Sequence, residues 1–173
     1  ADTLMIFYLL DFKEAAEVLR DLGIRIKNPR AFVDRNFHYY LPITTHGSTL
    51  SRFVHGSIGV DLNHKKQQVF NLFKRSLSHD IYDFEGSTRE GIHCGLMAGT
   101  INMVEKYFAG VRMTSKGISI KPWFPENWKK LSFKLMDKGK LYELNYENKK
   151  NKLVTKIKKN GKSFIPYILD SKI

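Results

Sequence analysis

Apolar positions recur at helical spacing over roughly the first two thirds of the chain and at alternate positions over the rest. Residues 2–10 read as the end of a helix. Asp11 to Leu22 forms a second, with Phe12, Ala15, Ala16, Leu19 and Leu22 on one face and Gly23 as its stop. Pro29 opens a third through about His38, with Phe32, Val33 and Phe37 inward. Tyr39, Tyr40 and Pro42 lead into a loop, T-T-H-G-S-T-L-S, at residues 44–51. Ser48 or Thr49 is placed to cap a fourth helix, which runs to about Asp61 and buries Leu50, Phe53, Val54 and Ile58. A fifth spans about His64 to Leu77 around Val69, Phe70, Leu72, Phe73 and Leu77.

The densest pattern lies between Asp83 and Ala109. Ser87 stands three residues before Glu90, ahead of an apolar run, which is the spacing of a capping box. It predicts a sixth helix from about Thr88 to Phe108. Gly91, Gly95 and Gly99 fall four apart on one face of that helix. Each costs roughly 1 kcal/mol relative to alanine, so the stripe implies a close neighbour. Ile92, Leu96 and Met103 continue an apolar stripe beside it, and His93 sits near the start.

Past Gly110 the period changes to two. Ile118 to Ile120, Leu131 to Met136, Tyr142 to Tyr146, Leu153 to Ile157 and Ser163 to Leu169 read as strands. Asp137-Lys138-Gly139-Lys140, Asn148 to Asn151 and Asn160-Gly161 read as the turns between them. The fold class is therefore α+β: an antiparallel helical array over residues 1–110, then a small antiparallel β module over 111–173. A module of that size is marginal alone. Trp123, Phe124 and Trp128 offer either a patch that docks on the helices or the module's own core.

The chain has 173 residues, 42% hydrophobic and 27% charged, which is globular composition and room for one ordinary domain or two small ones. The net charge of +12 invites a nucleic-acid reading. However, Lys134, Lys138, Lys140, Lys156, Lys158 and Lys162 follow strand-like alternation, so they read as a solvated face and no nucleic-acid partner is expected. A basic, non-catalytic interaction module is the alternative. The opening L-M-I-F-Y-L-L is far short of the roughly 18 apolar residues of a membrane span and lacks a basic leader, so no membrane partner is expected. The sequence enters at Ala1 directly on apolar residues, and so reads as part of a longer chain. Cys94 is the single cysteine, read as a small buried apolar residue. It leaves no intrachain disulfide and fits a reducing, cytoplasmic location.

Two loop-to-helix junctions carry the unusual polar residues. One is His46-Gly47-Ser48-Thr49; the other is Ser87-Thr88-Arg89-Glu90-Gly91 with His93. Each puts hydroxyls, backbone N–H groups and an imidazole at a helix N-terminus, where anions are favoured. Arg89 could add a guanidinium. Taken singly, each junction is also ordinary capping. There is no G-K-[ST], and so no P-loop. His38, His46, His55, His64, His79 and His93 show neither H-x-x-x-H nor H-E-x-x-H spacing, so no metal site is expected. Asp80, Asp83 and Glu85 read as solvated turn carboxylates.

Three blocks in order, H-G-S-T-L-S, then about 35 residues on D-I-Y-D-F-E-G-S-T-R-E-G-I-H-C-G-L-M-A-G-T, then I-S-I-K-P-W-F-P-E-N-W-K-K-L-S-F-K-L, resemble the C-terminal end of glycoside hydrolase family 65. That family holds disaccharide phosphorylases acting on maltose, trehalose, kojibiose and similar α-glucosides. The resemblance implies the last half of an (α/α)6 toroid followed by a small β-sandwich. It implies an inverting phosphorylase that takes a disaccharide and inorganic phosphate, with phosphate as co-substrate and no cofactor. Phosphate would lie against His93, with His46, Ser48 and Thr49 lining the site and Gly91 admitting close approach. A capping box accounts for Glu90, though a carboxylate there could instead orient water in a hydrolase relative, of trehalase or kojibiose-hydrolase type. The general-acid glutamate would lie upstream of Ala1, so no catalytic residue is expected in this chain and the isolated chain is expected to be inactive. Family members are often homodimers, so a second copy is an expected partner.

Overall fold

The computed structural model describes residues 2–84, 86–114, 117–150 and 152–166. They form two compact units, residues 1–103 and 104–173.

The first unit is helical: α1 Asp2–Leu9, α2 Phe12–Asp21, α3 Pro29–Ile43, α4 Ser51–Asp61, α5 Lys66–Leu77, α6 His79–Tyr82 and α7 Cys94–Asn102. Its helix starts follow local chemistry. Asp11 Oδ1 accepts the amides of Lys13 and Glu14 at 2.8 Å each, while Glu14 Oε2 accepts the Asp11 amide at 3.1 Å, closing a capping box on α2. Asn28 Oδ1 accepts the Ala31 amide at 3.0 Å, and Pro29 takes the first helical position of α3. That helix runs five residues beyond His38, past Pro42, because the amide and hydroxyl of Thr44 both donate to the Tyr40 carbonyl and close the last turn.

Helix α4 is the centre of this unit. Every residue from Ser51 to Val60 except Arg52 is buried. Its small residues are the reason neighbours can surround it. A Cβ at Gly56 would sit 2.8 Å from Met103 Cε, and one at Gly59 would sit 2.9 Å from Val69 Cγ2. Arg30 closes the far end of α4, donating to the carbonyls of Asp61 and Leu62 at 2.8 Å each. Val33, Phe37, Val69 and Phe73 bury as the spacing predicts, whereas Leu22, Leu77 and Ile92 are exposed.

The expected sixth helix is shorter and starts later. Ser87 makes no capping bond, and Thr88–Glu90 is a single 3₁₀ turn. Gly91 then takes φ +120°, a conformation L side chains rarely adopt, and α7 begins only at Cys94. The Ser87–Glu90 spacing does not form a capping box: the Glu90 amide donates to the Ser87 carbonyl at 3.0 Å, and Asp83 accepts the Thr88 amide at 3.0 Å. Gly91 therefore leaves the glycine stripe, and only Gly95 and Gly99 remain on the helix. The chain leaves α7 through π-helical residues Met103–Phe108.

The second unit holds two antiparallel sheets. β1 Val111–Thr114 pairs with β2 Gly117–Ile120, and β3 Lys130–Asp137, β4 Lys140–Lys149, β5 Lys152–Lys159 and β6 Lys162–Ser163 form a meander in sequence order. The expected last strand runs to Leu169, which lies outside the described residues. The register places Phe133, Leu144 and Ile157 abreast on one face and Lys134, Glu143 and Lys158 abreast on the other. The apolar face joins Val111, Ile118 and Ile120 of the smaller sheet in one core. Lys134, Lys156 and Lys158 thus share a solvated sheet face, while Lys138 lies in the turn before β4.

Trp123 stacks on Phe108 at 5.6 Å, Trp128 meets Phe108 edge-on at 5.5 Å, and Phe124 stacks on Tyr146 at 6.1 Å. Phe124 belongs to the second unit's own core and Trp128 packs against it. Gly110 is required where it stands: at φ +69° it lies so close to the next loop that a Cβ would be 1.9 Å from the Lys121 carbonyl oxygen.

Candidate functional site

The segment between α6 and α7 is built around one side chain. Asp80, on the four-residue α6, accepts the His93 backbone N–H through Oδ2 at 2.8 Å and the His93 ring through Oδ1 at 2.6 Å. Since a carboxylate only accepts, the ring proton lies on Nδ1 and Nε2 is left as an acceptor. The His93 amide, more than any other group, holds the Asp80 carboxyl below its usual range. Asp80 is therefore not the solvated turn carboxylate its sequence position suggests. Asp83 fits that description better: it is exposed, ends α6 at φ +46°, and is held low by the Thr88 amide. Glu85 lies outside the described residues.

His93 occupies the N-cap position of α7, where the first-turn amides have no intrahelical partner. The Ser87 hydroxyl lies 3.5 Å from its Nε2. The His79 ring stands perpendicular to it, 5.1 Å between centroids, fully buried, with Nε2 lacking a hydrogen-bond partner among the described residues. Arg52 Nη1 of α4 lies 3.5 Å from His79 Nδ1.

The other junction is organised in the same way. His46 takes φ +57°, an uncommon conformation for a non-glycine residue, with Nδ1 2.8 Å from the Ser51 hydroxyl. Ser51 in turn engages His55, whose Nδ1 donates to the Ser51 carbonyl at 2.8 Å. Burial, then the nearby charges of His55 and Arg52, lower the His46 pKa to about 4. Burial also lowers that of His55. Both rings are thus neutral near pH 7, in positive surroundings.

The two junctions meet within the helical unit. A Cβ at Gly95, two residues past His93, would lie 3.4 Å from Leu50, the residue after Thr49. Arg52 bridges them by charge, acting on His46 and approaching His79. Neither Ser48 nor Thr49 caps α4, whose N-cap is Leu50; Ser48 is exposed and Thr49 half-buried. Gly91 has open space around its Cα, while Arg89 and Glu90 are exposed on the 3₁₀ turn. Cys94 is exposed at the first position of α7, not buried as expected. Sequence reading missed Asp80, His79, Arg52, Ser51 and His55. Only the Ser51–His55 pair, four apart on one helix, had a local signal.

His79, Asp80 and His93 also bring three metal-ligating side chains within 4.8 Å of one another, a grouping their spacing in sequence does not reveal. Both Asp80 oxygens accept hydrogen bonds from His93. The arrangement as it stands suits an anion: an imidazole held at a helix N-terminus, a guanidinium close by and open backbone at Gly91.

Comparison with known proteins decides the family. Residues 1–102 match the model of the glycosyl hydrolase family 65 central catalytic domain. The chain belongs to glycosyl hydrolase family 65. It is 33% identical over 149 residues to trehalose 6-phosphate phosphorylase of Lactococcus lactis, covering 86% of this chain and 19% of that protein. It is 31% identical to maltose phosphorylase of Bacillus subtilis over 81% of this chain and 18% of the relative. Against kojibiose phosphorylase of Thermoanaerobacter brockii the figures are 34%, 73% and 16%. This family 65 chain therefore spans less than a fifth of the length of these relatives. A solved chain from the human microbiome, provisionally named a kojibiose phosphorylase, shares its fold, with a TM-score of 0.68 at 22% identity over 95% of this chain and 22% of that one.

Proposed function

We propose that this family 65 chain supplies the phosphate-binding half of the active site of an inverting α-glucoside disaccharide phosphorylase. Residues 1–110 would be the C-terminal portion of its (α/α)6 catalytic toroid, and 111–173 its C-terminal β-sandwich domain. The supporting observation is the meeting of the two junctions. Asp80-held His93 faces the N-terminus of α7, with the His46 loop and Arg52 beside it. The named relatives, phosphorylases of three different α-glucosides, favour the same chemistry.

Inverting cleavage needs a proton on the leaving glycosidic oxygen and a nucleophile on the opposite face of the sugar. With phosphate as nucleophile, no general base is required. One phosphate oxygen bonds to the anomeric carbon as the glycosidic bond breaks, and the freed sugar oxygen takes the acid's proton. The products are β-glucose 1-phosphate and a sugar. What this chain's residues must do is hold a dianion at that carbon. His93, His46, Ser48 and Thr49, with open backbone at Gly91, are the groups for it, and Arg52 adds positive potential. The general acid belongs to chain outside these residues, and no cofactor is invoked. The partners are a disaccharide and phosphate, in the cytoplasm; neither nucleic acid nor membrane enters this reading.

The test is the dependence of disaccharide cleavage on phosphate in an enzyme carrying this segment. Phosphorolysis that saturates with phosphate, is diverted by arsenate and is lost in His93→Ala is the expected result. Cleavage that proceeds equally in phosphate-free buffer would overturn the reading in favour of a hydrolase.

A further inference from the structure

We infer that Asp80 is the positioning residue for His93: it fixes the ring's orientation and tautomer so that Nε2, and not Nδ1, meets the bound anion. This rests on the reading of the site as a phosphate site. The inference comes from a pair of bonds. One carboxylate grips the same residue twice, by its backbone N–H at 2.8 Å and its ring Nδ1 at 2.6 Å. The backbone bond fixes where the residue sits; the ring bond fixes which way the imidazole turns. Neither bond alone would do both. Asp80 is itself one residue from His79, whose buried ring lies perpendicular to that of His93 and closes off the other side. The imidazole is thus held on two sides.

The electrostatic consequence follows from the donor and acceptor inventory. A carboxylate can only accept, so a neutral His93 carries its proton on Nδ1 and leaves Nε2 as an acceptor, with the Ser87 hydroxyl 3.5 Å away. A protonated phosphate oxygen can donate to that nitrogen. If the proton passes to Nε2, the resulting imidazolium lies between two anions, Asp80 on one side and phosphate on the other. Asparagine at position 80 cannot reproduce this. An amide has one acceptor oxygen for two N–H donors, so it must either release the His93 backbone or turn its own NH₂ toward Nδ1, which reverses the tautomer. It also removes the counter-charge.

The experiment uses this chain as wild type, Asp80→Asn and His93→Ala. Imidazole tautomers are read by long-range ¹H–¹⁵N correlation at a pH where the ring is neutral, and binding of inorganic phosphate is measured on the same samples. Wild-type His93 is expected to be protonated on Nδ1. Asp80→Asn is expected to shift the ring toward Nε2–H or a mixture and to weaken phosphate binding about 10- to 100-fold, the range for loss of a partner that orients a histidine ligand. Wild-type His93 protonated on Nε2 overturns the inference, whether or not the variant folds. An altered tautomer with unchanged phosphate affinity also overturns it, and leaves the phosphate site standing. Wild type that is folded but binds no phosphate overturns the reading of the site, and the inference with it.

Discussion

His46 and His55 meet edge to face, their ring centroids 5.0 Å apart at 78°, with the Ser51 hydroxyl 2.8 Å from His46 Nδ1. Burial lowers both imidazoles from their ordinary value, and for His46 the charge of a protonated His55 adds to it. In the unfolded chain both would titrate near 6.5. Between that value and about 4 the unfolded state binds more protons than the folded one, so stability falls as pH drops through this window. Thermal melts at pH 7, 5.5 and 4 are expected to show a steady loss of stability. His46→Asn should flatten the slope.

Asp80 and Asp83 act in a lower window. Both carboxyls are held below their ordinary value of 3.8 by amide N–H groups. Their contribution is fully present above that value and is lost as pH falls through the folded pKa values. An Asp80→Asn variant is therefore expected to share the wild-type decline between pH 6.5 and 4 and to differ from it below. Melts below pH 4 check this.

Gly99 and Gly95 should respond to alanine in opposite directions. Alanine is better than glycine in a helix by up to about 1 kcal/mol. At Gly95 the new methyl would be 3.4 Å from Leu50, a contact a small shift accommodates, so Gly95→Ala is expected to be neutral or stabilising. At Gly99 it would be 2.6 Å from the Phe53 ring, which is buried and cannot give way cheaply, so a loss of about 1–3 kcal/mol is expected. Chemical denaturation of the pair measures the difference.

In the second unit, Gly110→Ala combines a positive φ with the 1.9 Å clash against Lys121 and is expected to cost about 2–5 kcal/mol. Gly139→Ala has the positive φ but open space, so only the conformational cost of about 1–2 kcal/mol applies. Tyr146→Phe removes the 2.9 Å hydroxyl bond to the Ala109 carbonyl and leaves that oxygen buried, a loss of about 1–3 kcal/mol. Denaturant midpoints of the three variants give the ranking.

The α+β division was legible because the apolar period changes from helical to two near Gly110, and periodicity survives whatever the tertiary contacts are. Helix starts were legible only where no distant group competed. Asp11–Glu14 and Ser87–Glu90 carry the same spacing, yet only the first forms the box; in the second, a 3₁₀ turn gives the Glu90 amide to the Ser87 carbonyl. β1 and α6 were missed because four residues carry too little pattern. At the site, the histidines were visible as motif residues, but what holds them was not. Asp80 is 13 residues from His93 and Arg52 is 27 from His79, separations that only the packing of α4, α6 and α7 brings to contact.

The most direct test of the central claim is a calorimetric phosphate titration of this chain beside its His93→Ala variant, with a thermal melt on each sample. The account predicts that folded wild type binds phosphate and that the folded variant does not. Folded wild type that takes up no phosphate, or a variant that binds it equally well, would contradict the account.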